Sequence, residues 1–119
     1  MNLNNLISQI EKHPMYKKSG MVLMHHGIVR ETSRSGEKVS GLRISVDHEI
    51  LEKIISEQKK REGIFEILVE IAENKDLQVG DSVMYILVLG TIRDIVVPVL
   101  SDTLNAIKEK ATKKEQFFI

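Results

Sequence analysis

Residues 82–89 read Ser-Val-Met-Tyr-Ile-Leu-Val-Leu, an almost wholly apolar run held between Gly80-Asp81 and Gly90. The run is far short of the ~18 residues a membrane helix needs, and it lacks the polar alternation of a strand with a wet face. It predicts a central strand covered on both sides. The rest of the chain must supply the two covers.

Residues 64–73 alternate, with Phe65, Ile67, Val69 and Ile71 pointing one way and Glu66 and Glu70 the other, as in a strand with one wet face. Residues 20–31 and 38–47 read as two strands. Their link, Thr32-Ser33-Arg34-Ser35-Gly36-Glu37, is polar and contains glycine, which suits a hairpin. In the second strand Leu42, Ile44 and Val46 share a face, opposite Arg43 and Ser45. Leu3, Leu6, Ile7 and Ile10 stand at helical spacing, so a short helix is predicted over 3–12. His13-Pro14 ends it, because a residue before proline is pushed out of the helical region.

Asp47 occupies an N-cap position ahead of the stripe Ile50, Leu51, Ile54 and Ile55. That helix runs out in Lys59-Lys60-Arg61, and Gly63 can take a left-handed cap. After Gly90 a long helix sets Ile92, Ile95, Val96, Val99, Leu100, Thr103, Leu104, Ile107 and Ala111 on one stripe. Asp94 is a better N-cap candidate than Thr91, since it leaves Pro98 in the first turn, where a missing N–H costs little. The predicted order is α-β-β-α-β-β-α. This is an α+β fold, a mostly antiparallel sheet packed with helices, in one domain over residues 1–119.

Charge narrows the function. The chain has 17 Lys+Arg against 17 Asp+Glu, which argues against a dedicated nucleic-acid binder. The balance is uneven: residues 44–81 hold ten acids against five bases, so the remainder is basic, with bases at 12–18, 30–43 and 108–114. A fold that gathers those stretches would attract a small anion. There is no cysteine, hence no disulfide, thiolate metal site or thiol nucleophile. The N-terminus lacks a signal-peptide pattern, and a cytoplasmic location is expected.

Familiar catalytic motifs are absent. His25 and His26 are neighbours in a strand and point to opposite faces, so they cannot chelate one metal together, and no metal site or cofactor is expected. No phosphate loop or nucleophile elbow is present. The basic residues have the more telling positions. Arg30 closes the apolar strand end Gly27-Ile28-Val29-Arg30, and Arg93 opens the last helix. Both placements favour an anionic group. Lys108, Lys110, Lys113 and Lys114 crowd the end of that helix, where mutual repulsion should lower a lysine pKa and favour nucleophilic chemistry.

In order and spacing, Gly27-Ile28-Val29-Arg30, Leu51-Glu52-Lys53-Ile54, Leu77-Gln78-Val79-Gly80-Asp81, Arg93 and Ile107-Lys108 resemble the large subunit of molybdopterin synthase over roughly residues 20–116. The resemblance implies an α/β-hammerhead fold and a homodimer within a heterotetramer. It implies a partner, a small ubiquitin-like sulfur carrier with a Gly-Gly C-terminus. Sulfur would pass from the carrier's thiocarboxylate to cyclic pyranopterin monophosphate. It also assigns roles: Arg30 and Arg93 to substrate binding, Lys108 to catalysis beside the thiocarboxylate, and Lys114, by a one-residue shift from Glu115, to the second lysine. All are expected to converge on one pocket.

The chain departs from the family pattern at several points. Ile92 stands where the family has histidine, His25 where it has an aromatic residue, and Ser45-Val46-Asp47-His48 where it has a Glu-His-Tyr-Pro-like stretch. The end at Ile119 falls short of the family's tail, so the resemblance is to a divergent, C-terminally truncated member. The alternative is a non-catalytic relative, a dimeric module that binds a Gly-Gly small subunit or another anionic ligand.

Overall fold

The computed structural model describes residues 1–119. In chain order the elements are α1 (Leu3–Glu11), β1 (Met21–Ile28), β2 (Val39–Val46), α2 (His48–Lys59), β3 (Ile64–Ile71), β4 (Leu77–Gln78), β5 (Ser82–Gly90), α3 (Arg93–Ala106), a π-helical turn (Ile107–Ala111) and β6 (Thr112–Phe118). They form two three-stranded antiparallel sheets, ordered β1-β5-β3 and β4-β2-β6.

Period-two alternation along β5 supplies both covers. Met84, Ile86 and Val88 enter the main core with Leu51 and Ile54 of α2, Val96 and Val99 of α3, and Ile107. Tyr85, Leu87 and Leu89 turn the other way onto Leu6 and Ile10 of α1. Ile86, Val88 and Leu89 are wholly buried, so the central strand expected over 82–89 is the one that forms. Each such side chain contributes roughly 1.5–3 kcal/mol. No helix is long and apolar enough to cross a membrane.

Several local expectations are corrected. The 20–31 and 38–47 strands are not a hairpin: β1 and β2 lie in different sheets, and only the bridge Thr32–Lys38 links the ends of their connection. Each strand finds a longer partner elsewhere, β1 along β5 and β2 along β6. In β3 a register shift between Ile64 and Glu66 breaks the alternation, so Phe65 joins Leu68 on the α1 side while Ile64 and Ile67 face the main core.

The start of α3 also differs from the expected one. Its N-cap is Ile92, which makes no side-chain cap bond; Asp94 lies within the first turn, and Pro98 falls in the second. Pro98 is exposed, so water can reach the carbonyl its missing N–H leaves free. Last, the expected single helix through Ala111 stops at Ala106, and the residues after the π turn become β6 along β2.

Asp47 caps α2 as expected, accepting from the Ile50 N–H at 3.1 Å. Its own N–H donates to the Ala111 carbonyl at 2.8 Å, which ties the cap to the end of the π turn. Asp47→Ala should lower stability by about 1 kcal/mol, read as a shifted urea midpoint with an unchanged slope. Gly63 has a positive φ of 82°, but it lies beyond the C-cap Lys60 and turns the chain into β3 instead of capping α2.

The molecule is elongated, 48 × 26 × 25 Å, with a radius of gyration of 15.1 Å. A chain this long would ordinarily have roughly 13.5 Å.

Candidate functional site

The site begins with two short motifs that fold onto each other. Gly80 takes a positive φ of 91°, and Asp81 turns back to accept from the Gln78 N–H at 2.8 Å. This tight turn bonds to the strand end after β1: the Val29 N–H donates to the Asp81 carbonyl and the Gly80 N–H to the Val29 carbonyl, both at 2.9 Å. Val29 is thereby fixed and buried, and the chain leaves it as a well-built loop. Within that loop the Ser33 N–H donates to the Glu37 carbonyl at 2.8 Å, the Gly36 N–H donates to the Ser33 carbonyl at 3.0 Å, and Gly36 takes a φ of 89°. The Ser33 Oγ accepts from the Glu37 N–H at 3.2 Å and lies 2.9 Å from the Ser35 Oγ. Arg34 projects from this loop.

The other side of the site is the end of α3. Ile107 and Ala111 are buried anchors of the π turn, and the Thr112 Oγ donates to the Ile107 carbonyl at 3.2 Å. The turn carries Lys108 between those anchors. In β6, Lys114 lies opposite buried Ile44, so the two share a face of the sheet, while Glu115 opposes Arg43 on the other face.

These pieces form a cation cluster. The Lys108 ammonium is held below the ordinary lysine range, first by partial burial, then by Arg34, then by Lys114. The His25 imidazole, on the half-buried side of β1, is likewise held low, first by burial, then by Lys108, then by His26. None of Arg34, Lys108 and Lys114 has a carboxylate within ion-pairing distance, so nothing offsets their charge where they gather. Uncompensated like charges gathered in one place form a receptor for an anion. A lower pKa also leaves more free amine, so Lys108 should acylate faster than the other lysines at pH 7–8 under a limiting amine-reactive ester, as read by peptide mass spectrometry.

The expected convergence holds only in part. Lys108 and Lys114 come together. Arg93 does not join them, since it starts the helix that Lys108 follows, roughly 22 Å away along the axis at 1.5 Å per residue. Arg30 is turned along its own loop, its Nε donating to the Thr32 carbonyl at 2.8 Å. Arg34 and His25 belong to the cluster and were not assigned to it from sequence. The signal for Arg34 was its place in the polar link after Arg30. For His25 it was strand alternation, which puts it on the same face as Leu23, a residue packed on the main core.

Two open clefts lie elsewhere. One of about 390 Å³ is lined by Arg61, Glu62, Asp94, Ile95, Pro98 and Val99. Another of about 550 Å³ lies between Asp47, Ile50, Lys110 and Lys113. Neither is lined by Lys108, Lys114, Arg30 or Arg93. No group of three or more His, Cys, Asp or Glu side chains has the geometry to hold a metal ion.

Solved structures share the fold. Molybdopterin synthase from Staphylococcus aureus superposes with a TM-score of 0.74 at 22% identity, over 87% of this chain and 77% of that one. Molybdopterin cofactor biosynthesis protein E from Burkholderia multivorans gives 0.76 at 21% identity, over 97% and 80%. A complex of subunits 1 and 2 of molybdopterin-converting factor from Helicobacter pylori gives 0.72 at 17%, over 99% and 84%. No curated protein matches the chain. The family model described as "MoaE protein" matches residues 2–110. The α+β architecture and that match agree: the chain belongs to the MoaE family, the large subunits of molybdopterin synthase in molybdenum cofactor biosynthesis.

Proposed function

We propose that residues 1–119 act as one cytoplasmic domain, the sulfur-transferring large subunit of a molybdopterin synthase. A small Gly-Gly carrier brings sulfur as a C-terminal thiocarboxylate, and cyclic pyranopterin monophosphate receives it. The observation that carries this reading is the cluster of Lys108, Lys114 and Arg34 with no acid paired to any of them. Both the thiocarboxylate and the pterin phosphate are anions, and guanidinium and ammonium groups bind them by charge-assisted hydrogen bonds. Each sulfur delivered leaves the carrier with a carboxylate, whose new oxygen comes from water. Lys108 is assigned the position beside the reacting thiocarboxylate, with Lys114 beside it, and Arg30 turns out from its loop once a substrate anion competes with the Thr32 carbonyl. The Helicobacter pylori relative, a two-subunit complex, supports a small-subunit partner for this chain as well.

Arg93 fits this scheme only across a protomer boundary. In a homodimer the α3 start of one protomer would bring Arg93 to the Lys108 end of its partner. Ile92 and Val97, 55% and 44% exposed beside Arg93, give that surface an apolar component. The test mixes the protein with a thiocarboxylated small subunit and cyclic pyranopterin monophosphate, then looks for the dithiolene product. Product formation supports the synthase. One observation favours a second reading: exposed Ile92, where the family has histidine, lacks a proton-transferring side chain. Tight binding of the small subunit without product would establish that reading, a non-catalytic binding module.

A further inference from the structure

We propose that His25 is an anion-binding residue of the Lys108 site, receiving a phosphate or carboxylate oxygen on its imidazole and taking up one proton as the anion binds. The inference rests on the cation cluster described above and extends it to a residue that the sequence pattern left idle.

The geometry singles out this histidine. Of the four in the chain, His13 accepts from the Met15 N–H through Nδ1, His26 is 2.8 Å from the Ser82 Oγ, and His48 is 2.8 Å from Glu73. His25 alone has neither a hydrogen-bond partner nor an ion pair. Its ring lies over Gly27: a Cβ built there would stand 3.3 Å from the His25 Nε2. The glycine therefore leaves space for the imidazole to lie along the strand toward the end where Val29, Arg30 and the Arg34 loop follow.

The surroundings of His25 are one-sided in charge. The π turn after α3 contributes Lys108, with Arg34 and Lys114 beyond it, and β1 itself contributes His26. Across the β5 pairing stands Ile86, which is apolar. The acids of α3 do not compensate: Asp102 is engaged by Arg61 at 2.7 Å, and Asp94 lies at the far end of the helix. Glu109 shares the π turn with Lys108, and no acid, Glu109 included, forms an ion pair with His25. In the free protein burial, and after it the charge of Lys108, holds the imidazole below the ordinary histidine range. An anion entering the cluster cancels part of that field and so favours the imidazolium, which then donates to the anion.

Proton uptake makes binding depend on pH with a definite sign. Between the free His25 midpoint, below 6.5, and the higher midpoint of the bound state, affinity should rise about tenfold for each unit that pH falls. Sulfate is the first probe, because it stays dianionic throughout that window, and a peptide ending in Gly-Gly is the second. Their titrations, run from pH 7.5 to 5.5 at constant ionic strength, separate a phosphate-type ligand from a carboxylate tail. Wild-type protein should show the slope with at least one probe. His25→Phe, which keeps a flat ring, should abolish it, and His26→Asn should retain it. Saturating sulfate or peptide should also raise the His25 midpoint in a direct NMR titration.

A flat wild-type profile, a slope that survives in His25→Phe, or an unmoved NMR midpoint would overturn the proposal for His25. No binding of either probe by wild-type protein would overturn the cation site itself. Binding with the predicted slope, but no dithiolene in the assay above, would leave His25 as proposed and refute only the synthase reading.

Discussion

Lys108→Ala should leave a folded protein that forms the dithiolene at least about a hundredfold more slowly than the unaltered chain. Removing one preorganised group that stabilises developing charge typically costs ~10²–10³ in rate. Nothing nearby replaces it in kind. Lys114 stands on the neighbouring strand and Arg34 on a loop tip, and neither lies within the π turn that holds Lys108 between two buried anchors. Arg34→Ala should act differently, raising KM for the anionic substrate more than it lowers kcat, because a guanidinium at the rim binds the ground state as well as the transition state. Single-turnover formation of dithiolene, with melting curves to show that each variant is folded, checks both. A Lys108→Ala enzyme within threefold of wild type would remove Lys108 from the chemistry.

Ile107→Ala should cost roughly 2–5 kcal/mol, the range for truncating a large buried aliphatic side chain. Ile107 is 0% exposed and belongs to the main core with Val96, Val99 and Ile86. For a chain of this length about 4 °C of melting temperature corresponds to each kcal/mol, so a fall of roughly 8–20 °C is expected by calorimetry. The same substitution loosens the turn next to Lys108, so activity should fall even well below the new melting point. A shift under 2 °C would mean that the end of α3 does not pack as described.

The two-sided cover of the central strand was legible because the run from Val83 to Leu89 admits no other placement. The Asp47 cap was legible because an N-cap is decided by a side chain and a backbone N–H three residues away. The partners of the remaining strands were less so. The link from Thr32 to Glu37 has hairpin composition, but turn chemistry fixes only the loop; the competition between β5 and β6 for strand partners fixes the sheet. The polar run from Thr112 to Gln116 reads as a solvated helix end, and only pairing with β2 makes it a strand.

The cation cluster shows the same division. Lys108 and Lys114 are close in sequence, and their proximity could be anticipated. Arg34 reaches them from a loop more than seventy residues earlier, set there by hydrogen bonds among Ser33, Ser35, Gly36 and Glu37. Arg93 is the reverse case. The predicted helix already put it four turns from Lys108, so its separation within one chain follows from helical rise alone.

The most direct test of the anion site is the structure of the complex with a small subunit whose C-terminus is Gly-Gly. The terminal carboxylate should lie within hydrogen-bonding distance of the Lys108 Nζ, with Arg34 and Lys114 around it. A tail that instead ends at the 390 Å³ cleft by Arg61, or in solvent away from the π turn, would contradict the account.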